Sequence, residues 1–252
     1  MNFIASSLAA VSTISVPSAQ IDFNMLALTP KEVEIKLDSI ILFTPSDKDG
    51  NPISFEFEVD GSKKDIYFAA FSPTAINFLN DKVISQSKDK DSKYTYAPKS
   101  LSKFTSQIEI QKNKSKKEIL DVMYIPDPQQ AKISKKLLLE QGYKKDEVDN
   151  IVQNNPMIFC PNPTVTASEK SSKTSYIPCS TDYITMKGLV DKAKIKKKYP
   201  WSKVNKPKVM AIPLSQFINT LKTSEEDNVK EIKVIPTPSS IKLINQANQR
   251  EK

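Results

Sequence analysis

The feature that most constrains this chain is a repeated segment. Residues 118–132 read EILDVMYIPDPQQAK, and residues 228–242 read NVKEIKVIPTPSSIK. At an offset of 110, Ile125-Pro126-x-Pro128 matches Ile235-Pro236-x-Pro238, and Lys132 matches Lys242. Each copy is a short β-rich run, then I-P-x-P, then a helical pattern. The first proline ends the strand because it has no N–H to donate to a ladder. The second falls near a helix start, where a missing N–H costs nothing.

A second pair of segments extends the repeat. Residues 29–45 read TPKEVEIKLDSIILFTP, and residues 144–161 read KKDEVDNIVQNNPMIFCP. Val33 matches Val148 at an offset of 115, and Phe43 matches Phe159 at 116. Each copy is a short amphipathic helix (Val33 and Leu37; Val148 and Val152) running into an apolar strand. Downstream, Ile66–Ser72 precedes a helix from Pro73 to Lys82, and Tyr176–Ser180 precedes a helix from Thr181 to about Lys196. Ser72 and Ser180 stand as N-cap candidates. Asp49-Gly50 supplies a hairpin turn between Ile41–Thr44 and Ser54–Val59; in the second copy the tip is the polar run Thr166–Ser175. The fourth strand is expected at Gln107–Ile110 and at Val209–Ile212. The polar stretches Ser85–Lys103 and Lys222–Asn228 read as loops.

The expected fold is therefore mixed α/β (α+β). Two pseudo-symmetric repeats of helix, β-hairpin, strand, helix, strand, strand and helix pack as one body. The expected boundaries are 27–140 for the first repeat and 141–252 for the second. Residues 1–26 form an arm without Lys or Arg, read either as a degenerate export signal or as a flexible docking segment.

Composition closes most catalytic classes. Among 252 residues there is no His, so histidine-based nucleophilic catalysis and zinc hydrolysis are excluded. The four glycines (Gly50, Gly61, Gly142, Gly188) are too scattered for a dinucleotide fingerprint or a phosphate loop. No cofactor, metal or small-molecule substrate is expected, and no enzymatic activity. Net charge is +8, and the only arginine is Arg250. A lysine surface suits diffuse attraction to acidic partners better than base readout, so nucleic acid is not expected as a partner. The bias towards Lys, Ile, Asn and Ser is that of AT-rich coding sequence, as in organelle genomes.

The stretch Leu28-Thr29-Pro30-Lys31-Glu32-Val33-Glu34-x-Lys36-Leu37, with Leu42-Phe43-Thr44 and Asp49-Gly50-Asn51-Pro52-Ile53, resembles the start of the Tic twenty-two-kilodalton family of plastids and cyanobacteria. Val122-Met123-Tyr124-Ile125-Pro126-Asp127-Pro128-Gln129-Gln130 is similar in the same way. So is Ile212-Pro213-Leu214-x-x-x-Ile218-x-Thr220-Leu221-x-Thr223-Ser224-Glu225-Glu226 followed by Ile235-Pro236-x-Pro238. The matches stand in order over residues 27–245, which reads as one domain of this type, in a plastid-encoded algal member. The resemblance implies a non-enzymatic, chaperone-like role in preprotein transfer. The partners would be preproteins or a plastid membrane complex, met peripherally on the stromal or intermembrane-space side. The alternative is a basic linker subunit of a plastid membrane or light-harvesting (phycobilisome–photosystem) assembly.

Three sets of residues stand as candidate sites. Ile41, Phe43, Phe68, Phe71, Met157, Phe159 and Ile177 either line a groove for unfolded polypeptide or form ordinary core between sheet and helices. Lys194, Lys196, Lys197, Lys198 and Trp201 form the densest basic run, either a docking patch for acidic proteins or anionic lipid, or a solvated helix end. A second run, Lys112, Lys114, Lys116 and Lys117, reads as a loop. Cys160 and Cys179 end strands flanking one hairpin and stand as a disulfide in an oxidising compartment or as buried thiols in a reducing one. Asp47-x-Asp49-Gly50 lacks the spacing of a calcium loop and reads as a turn.

Overall fold

A computed structural model of the chain describes residues 28–59, 62–86, 94–114, 122–168, 174–195 and 206–250. The N-terminal arm over 1–26 lies outside them. Helix α1 (Pro30–Asp38) begins with the residues its sequence dictates. Pro30 takes the first helical position, and Thr29 and Glu32 exchange bonds: Glu32 N–H donates to Thr29 Oγ1 at 3.3 Å, and Thr29 N–H donates to Glu32 Oε2 at 2.8 Å. Then follow β1 (Ile41–Ser46), β2 (Ser54–Val59), β3 (Ser62–Ala70), α2 (Pro73–Phe78, continued by a π-type turn at Leu79–Val83), β4 (Thr95–Ser100), α3 (Leu101–Lys114), β5 (Met123–Ile125) and α4 (Pro128–Glu140).

The second half runs α5 (Lys145–Asn154), β6 (Met157–Asn162), β7 (Ala167–Ser168), β8 (Ser175–Ser180), α6 (Tyr183–Ile195), β9 (Lys208–Pro213), α7 (Leu214–Thr223), α8 (Asn228–Glu231), β10 (Ile232–Ile235) and α9 (Pro238–Arg250). The two sheets follow one pairing scheme. In the first, β3 lies antiparallel to β1 and β2, β1 antiparallel to β4, and β5 parallel to β3. In the second, β8 lies antiparallel to β6 and β7, β6 antiparallel to β9, and β10 parallel to β8.

Both I-P-x-P segments do the same work. The strand stops at the first proline, the intervening residue caps the helix, and the second proline opens it. Asp127 accepts from Gln129 N–H at 2.8 Å and Gln130 N–H at 3.1 Å, and Thr237 Oγ1 accepts from Ser240 N–H at 3.0 Å. Ser72 caps α2, accepting from Ala75 N–H at 3.1 Å. Asp127→Ala is expected to cost about 1 kcal/mol, the usual worth of a lost cap. A urea titration of the variant checks it.

The pleat sorts the apolar residues into three cores. Tyr67 and Ala69 on β3, with Ile158 and Cys160 on β6, face a core shared by both halves, filled by Leu101, Phe104 and Ile108 of α3 and Leu214, Phe217 and Leu221 of α7. The alternate residues face outwards to two separate cores. Ile66, Phe68 and Ala70 pack with Ala75 and Leu79. Met157 and Phe159 pack with Leu138, Val148, Val152, Met186 and Val190. The halves also exchange helices: α4 lies against β9, α9 against β4, α5 against β5 and α1 against β10. The matched helices α1 and α5 are not placed alike, since Val33 enters the shared core whereas Val148 and Val152 enter an outer one.

The structure departs from the sequence reading in several places, among them the expected tip Thr166–Ser175, where Ala167–Ser168 forms β7 and pairs with β8. Gln107–Ile110 is not a strand but part of α3, because Leu101, Phe104 and Ile108 at spacings of three and four bury one helical face. The fourth strand is Thr95–Ser100, inside the stretch expected to loop. It pairs with β1 over six residues, and its Pro98 is tolerated because β4 is an edge strand. The Asp49-Gly50 turn forms, with Gly50 at φ +77° and its N–H on Asp47 O at 3.0 Å. It does not close a hairpin, however: beyond the single bridge Ser46↔Pro52, β2 pairs with β3. Both edges of β1 are already taken by β3 and β4. Finally, α6 is capped by Asp182, which accepts from Thr185 N–H at 2.7 Å, while Ser180 accepts from Asp182 N–H at 3.2 Å.

Candidate functional site

Beside β5 the outer face of the first sheet is not fully covered. Its floor is Ile66 of β3 and Val122–Ile125; one wall is Phe78 and Val83 of α2 and its π turn. The other wall comes from α4 (Pro128, Ala131, Lys132, Lys135) and α5 (Val152, Gln153). The groove between them has a volume of about 780 Å³, in the range of specific ligand sites. Phe78 is 42% exposed and Met123 46%, so large apolar surface stands in water at its mouth. Among the described residues its lining contains no carboxylate, and its cationic groups are Lys132 and Lys135. Lys135 Nζ is 2.7 Å from Asp149 Oδ1, and that bond, together with the lysine's charge, holds the Asp149 carboxyl below its usual range.

The cap residues of I-P-x-P orient this wall. Ser72 Oγ donates to Asp127 Oδ2 at 2.5 Å, joining the starts of α2 and α4. The same junction lines a smaller cleft of about 250 Å³ where Ser72, Asp127, Asp182 and Thr237 converge. Its carboxylates are already engaged. Asp127 holds its own helix start, and Asp182 accepts from Gln130 Nε2 and from Thr185 N–H and Oγ1, each at 2.7 Å. The cleft is a structural junction. Among the described residues no group of His, Cys, Asp and Glu is placed to hold a metal ion.

None of the seven apolar candidates lines the large groove. Phe43, Phe68, Phe71, Met157, Phe159 and Ile177 are buried, and Ile41 is half-buried at its strand start. At these positions both faces of each sheet carry core, so an apolar strand residue pointing either way is buried. Lys194 falls in the last turn of α6, whereas Lys196, Lys197, Lys198 and Trp201 lie outside the described residues. Lys112 and Lys114 belong to α3 rather than to a loop; Lys116 and Lys117 lie outside. Cys160 and Cys179 are joined by a disulfide, buried in the shared core. They stand directly opposite on β6 and β8, one step from the pair Phe159↔Ser180, with Cα atoms 4.4 Å apart.

Phe78 and Met123 carry no sequence signal that marks them as site residues. Phe78 sits three residues after buried Ala75, a spacing that points to core; the π turn that follows brings Leu79 into the core instead. Among the described residues no helix is long and apolar enough to cross a membrane.

No family model and no curated protein matches the sequence. Solved structures do match the fold, among them these two. Anabaena Tic22, described as a protein-transport protein, superposes with a TM-score of 0.63 at 17% identity, over 87% of this chain and 97% of that one. Tic22 from Plasmodium falciparum superposes with a TM-score of 0.59 at 13% identity, over 87% of this chain and 99% of that one. The mixed α/β fold of this chain is thus the Tic22 fold over nearly its whole length.

Proposed function

We propose that this protein, on the fold it shares with the Anabaena and Plasmodium Tic22 structures, works in protein import by holding segments of other polypeptides, without catalysing a reaction on them. The observation that carries this reading is the groove beside β5. It is apolar, about 780 Å³ in volume, and flanked by exposed Phe78 and Met123. Exposed apolar surface of this kind marks a binding site. With no His in the chain, the groove is suited to hold a polypeptide rather than cut it. The partners are preproteins in transit, and the compartment is a plastid. The buried Cys160–Cys179 disulfide favours the intermembrane-space side over the stroma, because disulfides persist in oxidising compartments.

Phe78→Asp combined with Met123→Asp tests the reading. Each side chain has apolar area still to bury, so the double change is expected to weaken binding of a fluorescent apolar peptide at least about tenfold. Thermal stability is expected to stay near that of the parent, since substitutions at exposed positions typically fall within about 0.5 kcal/mol. Fluorescence anisotropy measures the first and calorimetry the second. Unchanged peptide binding in the double variant refutes the groove.

A further inference from the structure

The groove beside β5 has little main chain to offer a ligand. Its walls are helices, whose N–H and C=O groups are bonded within the helix. Pro126 and Pro128 in its lining have no N–H at all. The floor is no freer. Strand β5 is paired with β3, helix α5 is packed against it, and Tyr124 in its middle is already engaged, its ring 6.0 Å from that of Phe71. The first turn of α4 is closed by its own cap, with Asp127 holding the N–H groups of Gln129 and Gln130. What the lining offers for hydrogen bonding is the side chains of Lys132, Lys135 and Gln153, and Lys135 is taken by Asp149 at 2.7 Å.

That poverty decides the conformation of the occupant. An extended segment pressed into the groove would bury N–H and C=O groups against apolar carbon, and each one left unpaired carries the full cost of its desolvation. A helix arrives with its backbone already satisfied and presents only side chains. Amphipathic helices seat in apolar grooves in this way, through residues spaced i, i+3, i+4 and i+7. Here such residues would meet Phe78, Val83, Met123 and Val152.

Charge decides which helix. Among the described residues the lining has no carboxylate, and Lys132 is exposed with no ion-pair partner. The chain as a whole carries +8. Such a site attracts an acidic flank and repels a basic one. Targeting leaders are amphipathic too, but they are rich in Arg and poor in acidic residues.

Resting on the reading of the groove given above, we propose that its occupant is an amphipathic helix with acidic residues along its polar flank, and therefore a segment of the client's mature part rather than of its targeting leader. Lys132 is the residue that reads the flank.

The probes are fluorescent peptides of about 15 residues, a length at which a helix holds once it is braced by a side-chain staple. All share one apolar face. The first is stapled and carries Glu along its flank. The second replaces each Glu with Lys. The third is the first without its staple and with two central prolines on the polar face. We expect the stapled acidic peptide to bind and the proline form to bind at least about tenfold more weakly, because proline inside a helix breaks it. The Lys form is expected to bind about two- to fivefold more weakly than the Glu form at low salt, a difference that shrinks as salt rises. In Lys132→Ala that difference is expected to fall away. A proline form that binds as tightly as the stapled helix overturns the helical occupant; if Phe78→Asp with Met123→Asp still abolishes that binding, the groove itself stands. A Lys form bound as well as the Glu form overturns the choice of a mature segment over a leader. Displacement by a neutral acyl detergent, with binding indifferent to staple and charge, would make an acyl chain the occupant and likewise overturns the proposal. Binding of every peptide unchanged in the Phe78→Asp, Met123→Asp variant overturns this proposal and the reading of the groove together.

Discussion

Phe217→Ala is expected to unfold both halves of the molecule more easily, not only the half that carries it. Phe217 is 2% exposed on α7, in a core that also contains Leu42, Tyr67, Ala69 and Phe104 of the first half. Truncating a buried Phe to Ala costs about 3–5 kcal/mol, from lost transfer energy and the cavity left behind. At this size each kcal/mol moves the melting temperature by about 2–4 °C, so a fall on the order of 10 °C is expected. The decisive reading is where protection is lost. Amide hydrogen exchange should show β3 and β6 opening together, with a single melting transition. Normal protection of β1 and β3 in a variant whose second sheet has loosened would mean that the halves are independent units.

The second large effect is expected at the disulfide. In the seam between β6 and β8 the paired register holds a single pair, Phe159↔Ser180, against six pairs between β6 and β9. Cys160–Cys179 ties that seam covalently across 19 residues. Closing a loop of that length stabilises by about 3 kcal/mol, chiefly by restricting the unfolded chain. The double variant Cys160→Ala, Cys179→Ala is therefore expected to lose about 3 kcal/mol in guanidinium unfolding. The parent should lose a similar amount when assayed under strong reductant, and the variant should be insensitive to reductant. A parent equally stable with and without reductant would show that the bridge contributes nothing. The first half manages the equivalent seam without a bond: by the register Phe43↔Ala70, Thr44 stands opposite Ala69, both fully buried.

What could be read from the sequence was whatever local chemistry decides. The I-P-x-P segments carry their own stop and start signals, so β5, α4, β10 and α9 follow from a few residues each. Helix α1 announces itself through Thr29, Pro30 and Glu32. The alternating strand Phe55-Glu56-Phe57-Glu58 is legible for the same reason, but its partner is not. Pairing is a competition between distant edges, and β3 took the place that the Asp49-Gly50 turn suggested for β1. Thr95–Ser100 was hidden because an edge strand needs few apolar residues, and its sequence TYAPKS looks like a loop. Ile108 and Ile110 alternate like a strand until Leu101 and Phe104 are counted with them. The groove was illegible for a deeper reason. Apolar residues marked by pattern are the ones the sheets bury, while Phe78 and Met123 are exposed because three helices and a short strand leave a gap.

The exchange of helices between the halves has a consequence for how the chain is made. Helix α9, from Pro238 to Arg250, lies against β4, a strand finished more than a hundred residues earlier on the ribosome. The nascent first half must therefore wait, with one edge of its sheet uncovered, until nearly all of the second half has emerged. Exposed edges of that kind invite mispairing with neighbouring chains. A protein proposed to shelter the unfinished segments of others would spend its own synthesis needing the same shelter.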